Sequence, residues 1–112
     1  MNLLFALWIL GIPVGSTISF TWQAPTTNED GSQLTSVLQY RLYEKIGTGP
    51  YRARMGINGK VTRVTYRVGD AGTYSFYMTA MNAERKESKP SNIVTIEVER
   101  PVVMPSPSPT GD

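Results

Sequence analysis

Apolar residues recur at every second position through the middle of this chain. That period restricts it to extended strands, because successive side chains of a strand point to opposite faces. In "TYSFYMTAMN", residues 73–82, Tyr74, Phe76, Met78 and Ala80 fall on one side. In "ISFTW", Ile18, Phe20 and Trp22 alternate with Ser19 and Thr21. "LQYRLYEK", residues 38–45, puts Tyr40 and Leu42 together. Residues 51–55 form a short run, and "KVTRVTYRV", residues 60–68, sets Val64, Tyr66 and Val68 against Arg63, Thr65 and Arg67. Residues 93–99 alternate Val94, Ile96 and Val98 with Thr95 and Glu97. Polar turns separate the runs at residues 28–31, 47–50 and 69–72. Asn58-Gly59 suits a tight hairpin, since both residues tolerate positive φ. No stretch sustains helical apolar spacing, and no internal repeat is present. About six short strands with polar turns predict an all-β antiparallel sandwich.

Trp22 shares its face with Ile18 and Phe20, so it belongs to the core. Tyr40, Leu42, Tyr74 and Phe76 join it there. A domain of this size depends on such burial, at roughly 1.5–3 kcal/mol for each large aliphatic side chain or Phe. The chain has 112 residues, enough for one domain, and contains neither histidine nor cysteine. No imidazole is available as a general base or metal ligand, and no thiolate as a nucleophile or half-disulfide. Lys+Arg 11 against Asp+Glu 9 gives a net charge of +2, too mild to imply a nucleic-acid partner.

The two ends differ from the middle. "MNLLFALWILGIPVGS", residues 1–16, carries an uncharged apolar run from Leu3 to Val14. That run is shorter than the roughly 20 residues a membrane-spanning helix needs and has the length of a secretory leader core. Cleavage is expected after Ser16, although no Lys or Arg precedes the apolar run. A buried first strand and an uncleaved anchor are the alternatives. The domain proper is then expected over residues 17–99. Residues 100–112, "RPVVMPSPSPTGD", read as a Pro/Ser-rich tail, extended and polyproline-like or disordered.

The stretches "ISFTWQAP", "YRLYEK" and "AGTYSFYMTAMNAERKESKPSN" together resemble the fibronectin type III family, over Thr17 to Val98. Trp22 and Pro25 match the family's tryptophan and following proline. Tyr40 matches its third-strand tyrosine. Gly72, Thr73, Tyr74, Phe76, Met78, Ala80 and Asn82 match its sixth strand, and Ser88, Pro90 and Ser91 its Ser-x-Pro-Ser ending. "APTTNEDGS" resembles small secreted bacterial and phage members. The resemblance implies an immunoglobulin-like antiparallel sandwich of about six to seven strands, a buried Trp22, and a Tyr74 hydroxyl that reaches a backbone group. Val68 and Ala71 depart from the family's leucine and proline. Cleavage after Ser16 would leave the first strand missing or reduced, and the sheet edge there open to strand addition by a partner. No Arg-Gly-Asp occurs, so integrin-type adhesion has no support.

Candidate sites are few. Asn28, Glu29 and Asp30 fall short of a calcium loop, which needs several oxygen ligands at alternating positions. No cofactor is expected. Arg52, Arg54, Lys60, Arg63 and Arg67 form a basic run without an acidic residue. If their strands adjoin, they line one anion- or partner-binding patch; the alternative is charge guarding a sheet edge. Tyr43, Tyr51 and Tyr77 lie on the opposite parity from the core rows, as interface aromatics or ordinary cross-strand packing. "NAERKESKP", residues 82–90, is a charged loop. The expectation is a non-catalytic binding or adhesion module with a protein or glycan partner, secreted, periplasmic or at a cell surface. The alternative is a virion decoration or tail accessory protein. Fold alone does not choose between them.

Overall fold

The computed structural model describes residues 3–5, 12–25, 31–32 and 36–100. Asn28, Glu29 and Asp30, most of residues 1–11 and the tail at 101–112 lie outside the described residues. Among the described residues every regular element is a strand: β1 Leu3–Phe5, β2 Ile12–Pro13, β3 Thr17–Trp22, β4 Gln39–Ile46, β5 Arg52–Asn58, β6 Arg63–Arg67, β7 Gly72–Met81 and β8 Val94–Glu99. They form two sheets, ordered β1-β3-β6 and β2-β8-β7-β4-β5. All pairings between named strands are antiparallel except β2 with β8. This is the sandwich that the alternation predicts.

The inward rows of both sheets meet in one core. Ile18, Phe20, Trp22, Tyr66 and Val68 come from the smaller sheet's side, and Tyr40, Leu42, Tyr74, Phe76, Met78, Ala80, Ile96 and Val98 from the larger. Trp22 is 5% exposed and meets Tyr40 edge-on at 5.2 Å. Phe76 lies at the centre of an aromatic group with Phe20 at 4.9 Å and Tyr66 at 5.6 Å. Such tilted contacts set positive ring edges against negative faces. The Tyr74 hydroxyl donates to the Asp70 carbonyl at 2.8 Å, fixing the turn between β6 and β7 as the resemblance implies.

One expectation changes. Asn58-Gly59 does not close a hairpin: β5 pairs with β4, whereas β6 pairs with β3 in the other sheet. The turn there starts a crossing between sheets. Asn58 Oδ1 accepts from Lys60 N at 2.9 Å, and the Asn58 carbonyl accepts from Val61 N at 3.0 Å. Glycine is needed at 59 for close approach, since a Cβ there would lie 1.9 Å from the Val37 carbonyl oxygen. The hairpin signal is local, while the choice of sheet is made by the inward rows.

The first strand is expected to be missing or reduced only where cleavage follows Ser16. In the full chain it exists as two short pieces. Leu3–Phe5 pairs with β3, and Ile12–Pro13 runs parallel to β8. Ile12 is 2% exposed. Val14 N donates to Glu99 O at 2.9 Å, Gly15 N to Val68 O at 2.7 Å, and Val68 N to Ser16 O at 3.0 Å. Packing therefore reaches back past the expected domain start at Thr17. Gly15, at φ 91°, permits the chain to move from one sheet edge to the other.

Candidate interaction surface

Four of the five basic residues come from two strands in different sheets, so the group does not make one continuous stripe. Arg63 and Arg67 are exposed on the outer face of β6, with Thr65 between them. Arg67 Nε lies 3.5 Å from the Gly15 carbonyl oxygen. Lys60 is exposed on the crossing. Arg52 and Arg54 sit on β5, where a bulge disturbs the pairing with β4: Tyr43 opposes Ala53, Leu42 opposes Met55, and Arg54 is the extra residue.

The bulge gives Arg54 a distinct task. It reaches across the open side of the sandwich, with its guanidinium 5.2 Å from the centre of the Tyr66 ring and its Nε 3.4 Å from the Tyr66 hydroxyl. That hydroxyl donates to Glu44 Oε2. Glu44 is 9% exposed and follows Tyr40 and Leu42 on the inward row of β4. A carboxylate at such a place needs hydrogen-bonding partners, and Tyr66 and Arg54 provide the polar chain. Burial pushes the Tyr66 pKa up, Glu44 adds to the rise, and Arg54 opposes it. Sequence reasoning missed this cluster. Its signal was available: Glu44 keeps the parity of two core residues.

On this side, then, β5 and β6 come together through Arg54, and Glu44, linked to them by the Tyr66 hydroxyl, faces inward. From Lys45 to Gly69 the sequence has no acidic residue. The five basic residues thus flank one side of the sandwich, with Arg54 tied inward and Arg63 and Arg67 on an outer face.

The three outward tyrosines do gather. Tyr43 and Tyr77 stack at 4.7 Å, and Tyr51 meets Tyr77 edge-on at 4.8 Å. Lys45 covers the Tyr51 ring at 5.5 Å. The Tyr43 hydroxyl and Arg41 Nη1 each donate to Glu87 Oε1 at 3.0 Å. Stacking between Tyr43 and Tyr77, and Lys45 over Tyr51, turn ring faces toward protein, so the group is mostly packing on the outer face of the larger sheet. Burial raises the Tyr77 pKa, with Tyr43, Glu87 and Tyr51 adding to it. Glu87 belongs to the charged loop, which folds tightly: Asn82 Oδ1 accepts from Glu84 N at 2.9 Å and from Lys86 N at 3.0 Å.

Ser88 and Ser91 have clear roles. Ser88 N donates to Ala80 O at 2.7 Å, and Ala80 N donates back to Ser88 Oγ at 2.9 Å. Ser91 makes the same exchange with Met78, at 2.8 Å in each direction. The two hydroxyls replace main-chain carbonyls and continue the ladder of β7 before β8 begins. Among the described residues no group of three or more Asp or Glu side chains could hold a metal ion, and no helix is long and apolar enough to cross a membrane.

The sequence matches no protein-family model and no curated protein. Solved structures do match. A two-domain fibronectin type III segment of chicken tenascin is 21% identical, with a TM-score of 0.60 over 87% of this chain and 47% of that one. The fibronectin type III domain of human fibronectin type III domain containing protein 3 is 21% identical, with a TM-score of 0.56 over 89% of this chain and 87% of that one. The twitchin kinase region from C. elegans is 19% identical, with a TM-score of 0.60 over 82% of this chain and 16% of that one. The chain thus spans about half of the tenascin segment and about a sixth of the twitchin region. With its two sheets, buried Trp22 and Tyr74 turn, this chain has the fibronectin type III fold.

Proposed function

We propose that this domain is a non-catalytic binding module that holds an anionic partner surface, protein or glycan, through the side formed by β5 and β6. The observation that carries the reading is the separation of charge. Arg52, Arg54, Lys60, Arg63 and Arg67 flank that side, and Glu44, the nearby carboxylate, is turned inward and bonded to Tyr66. The absence of histidine and cysteine from the sequence supports a role without catalysis. Placement outside the cell or at its surface belongs to this reading, supported by the uncharged apolar run from Leu3 to Val14. Poly-glutamate and heparin surfaces, titrated with salt, test it. Retention should fall steeply as salt rises, because exposed charges are screened within about 10 Å at 0.1 M. It should be lost in Arg63→Ala combined with Arg67→Ala. Salt-independent retention, or retention unchanged in the double variant, rejects the reading.

A further inference from the structure

We propose that β6 is a strand acceptor: its free edge takes up an acidic extended segment of a partner protein, which pairs with the main chain of Arg63, Thr65 and Arg67. The proposal rests on the anionic-partner reading above and names the form in which the partner arrives.

The backbone hydrogen bonds show which way β6 faces. Trp22 N donates to Thr62 O at 3.1 Å, Gly15 N donates to Val68 O, and Val68 N donates to Ser16 O. Residues 62 and 68 therefore turn their main chain toward β3 and the segment before it. In an antiparallel ladder, N–H and C=O of one residue point the same way, and direction alternates along the strand. Val64 and Tyr66 thus bond to β3, while Arg63, Thr65 and Arg67 direct N–H and C=O to the other side. No described strand lies there.

Other edges are less suitable. β1 has three residues and β2 has two. β5 carries the bulge at Arg54 and a glycine at 56, and bulges disrupt edge pairing. β6 pairs with β3 without interruption over its whole length, roughly 17 Å. It is the regular edge.

Charge selects the occupant. Arg63 and Arg67 stand on the same face as Thr65. A second copy pairing antiparallel about Thr65 would set Arg63 opposite the other copy's Arg67, and like charges directly opposite destabilise a pair. The chain's own strand with outward glutamates, β8 with Glu97 and Glu99, has β7 on one side and β2 along part of the other. An incoming strand with carboxylates on one face answers both arginines. Its other face lies on the side of half-buried Val64 and of Tyr66, whose ring Arg54 already covers. The same arginines that keep copies of this domain apart thereby admit an acidic strand.

The test uses the full chain and a short blocked peptide in which glutamate alternates with valine. Its control is the same peptide N-methylated at every second amide, in two versions that cover both alternations. Binding is followed by calorimetry, and amide exchange by NMR. The expected result is new protection at Arg63, Thr65 and Arg67, little change at Val64 and Tyr66, and roughly ten-fold weaker binding for one N-methylated version. Thr65→Pro removes an outward N–H that β3 does not use, and proline is tolerated there on an edge strand. This variant should keep the native tryptophan fluorescence and lose the peptide. Equal binding of all three peptides, or wild-type binding by folded Thr65→Pro, overturns strand addition while leaving the anionic reading intact. Failure of the peptide to bind while poly-glutamate is still retained rejects the strand proposal alone. Loss of both rejects the reading beneath it. Peptide-independent self-association with protection at 63, 65 and 67 assigns the edge to a second copy and overturns the proposal.

Discussion

Trp22, Tyr40 and Tyr66 are all buried, yet removing parts of them should have different effects. Trp22→Ala deletes the indole that fills one end of the core, and should cost about 3–5 kcal/mol in urea unfolding. Tyr40 Oη and Trp22 Nε1 are buried without a hydrogen bond of normal geometry among the described residues. Tyr40→Phe removes an uncompensated polar atom and should change stability by no more than about 1 kcal/mol, in either direction. Tyr66→Phe takes away the donor that satisfies buried Glu44 and should destabilise by about 1–3 kcal/mol. The same unfolding curves decide all three. If Tyr66→Phe is neutral and Tyr40→Phe is costly, the assignment of polar partners is wrong. Alternation made Trp22 and Tyr40 legible as core. It did not reveal the Glu44 chain, because a single charged residue on an inward row gives no hint of its partners on another sheet.

At the level of strands, the period-two pattern located β3 through β8 to within a few residues, because each buries one face and exposes the other. It was silent on β1 and β2. Their sequence is apolar on both parities and interrupted by Gly11 and Pro13, so no face is marked. The hairpin suggested by Asn58-Gly59 is instead a crossing between sheets, because a turn dipeptide does not specify which strand its flanks pair with. The serines of the "SKPS" segment were visible as a motif, but their purpose lies in the ladder. Ser88→Ala and Ser91→Ala each leave a buried N–H of β7 without its acceptor. Each should cost about 1–3 kcal/mol and speed amide exchange at Ala80 or Met78, respectively. Normal exchange in both variants rejects the ladder role. The strands also hold four tyrosines, Tyr40, Tyr66, Tyr74 and Tyr77, whose pKa values burial raises first of all. The folded state thus keeps phenol protons that the unfolded chain releases near pH 10. Their contribution is full below about pH 10 and is lost as pH rises through the raised values. Denaturant midpoints should fall steeply above about pH 10, and less so in Tyr66→Phe.

Across the whole molecule, the N-terminal segment links two questions that the sequence kept apart. Cleavage after Ser16 would take Ile12 out of the core and remove the strands beside β3 and β8. A chain beginning at Thr17 should therefore unfold at lower denaturant than the full chain, and N-terminal sequencing of the protein isolated from its source shows which form exists. Equal stability of the two forms would mean that β1 and β2 contribute nothing. Their arrangement also has a mechanical side. β2 and β8 run parallel, so tension between the two termini slides one along the other and loads their hydrogen bonds together instead of peeling them singly. Val14→Pro, which removes the donor to Glu99, should lower the rupture force in single-molecule pulling more than it lowers the denaturant midpoint. A domain clamped in this way behaves as a stiff bead when strung between neighbours, and gives length only after that clamp has sheared.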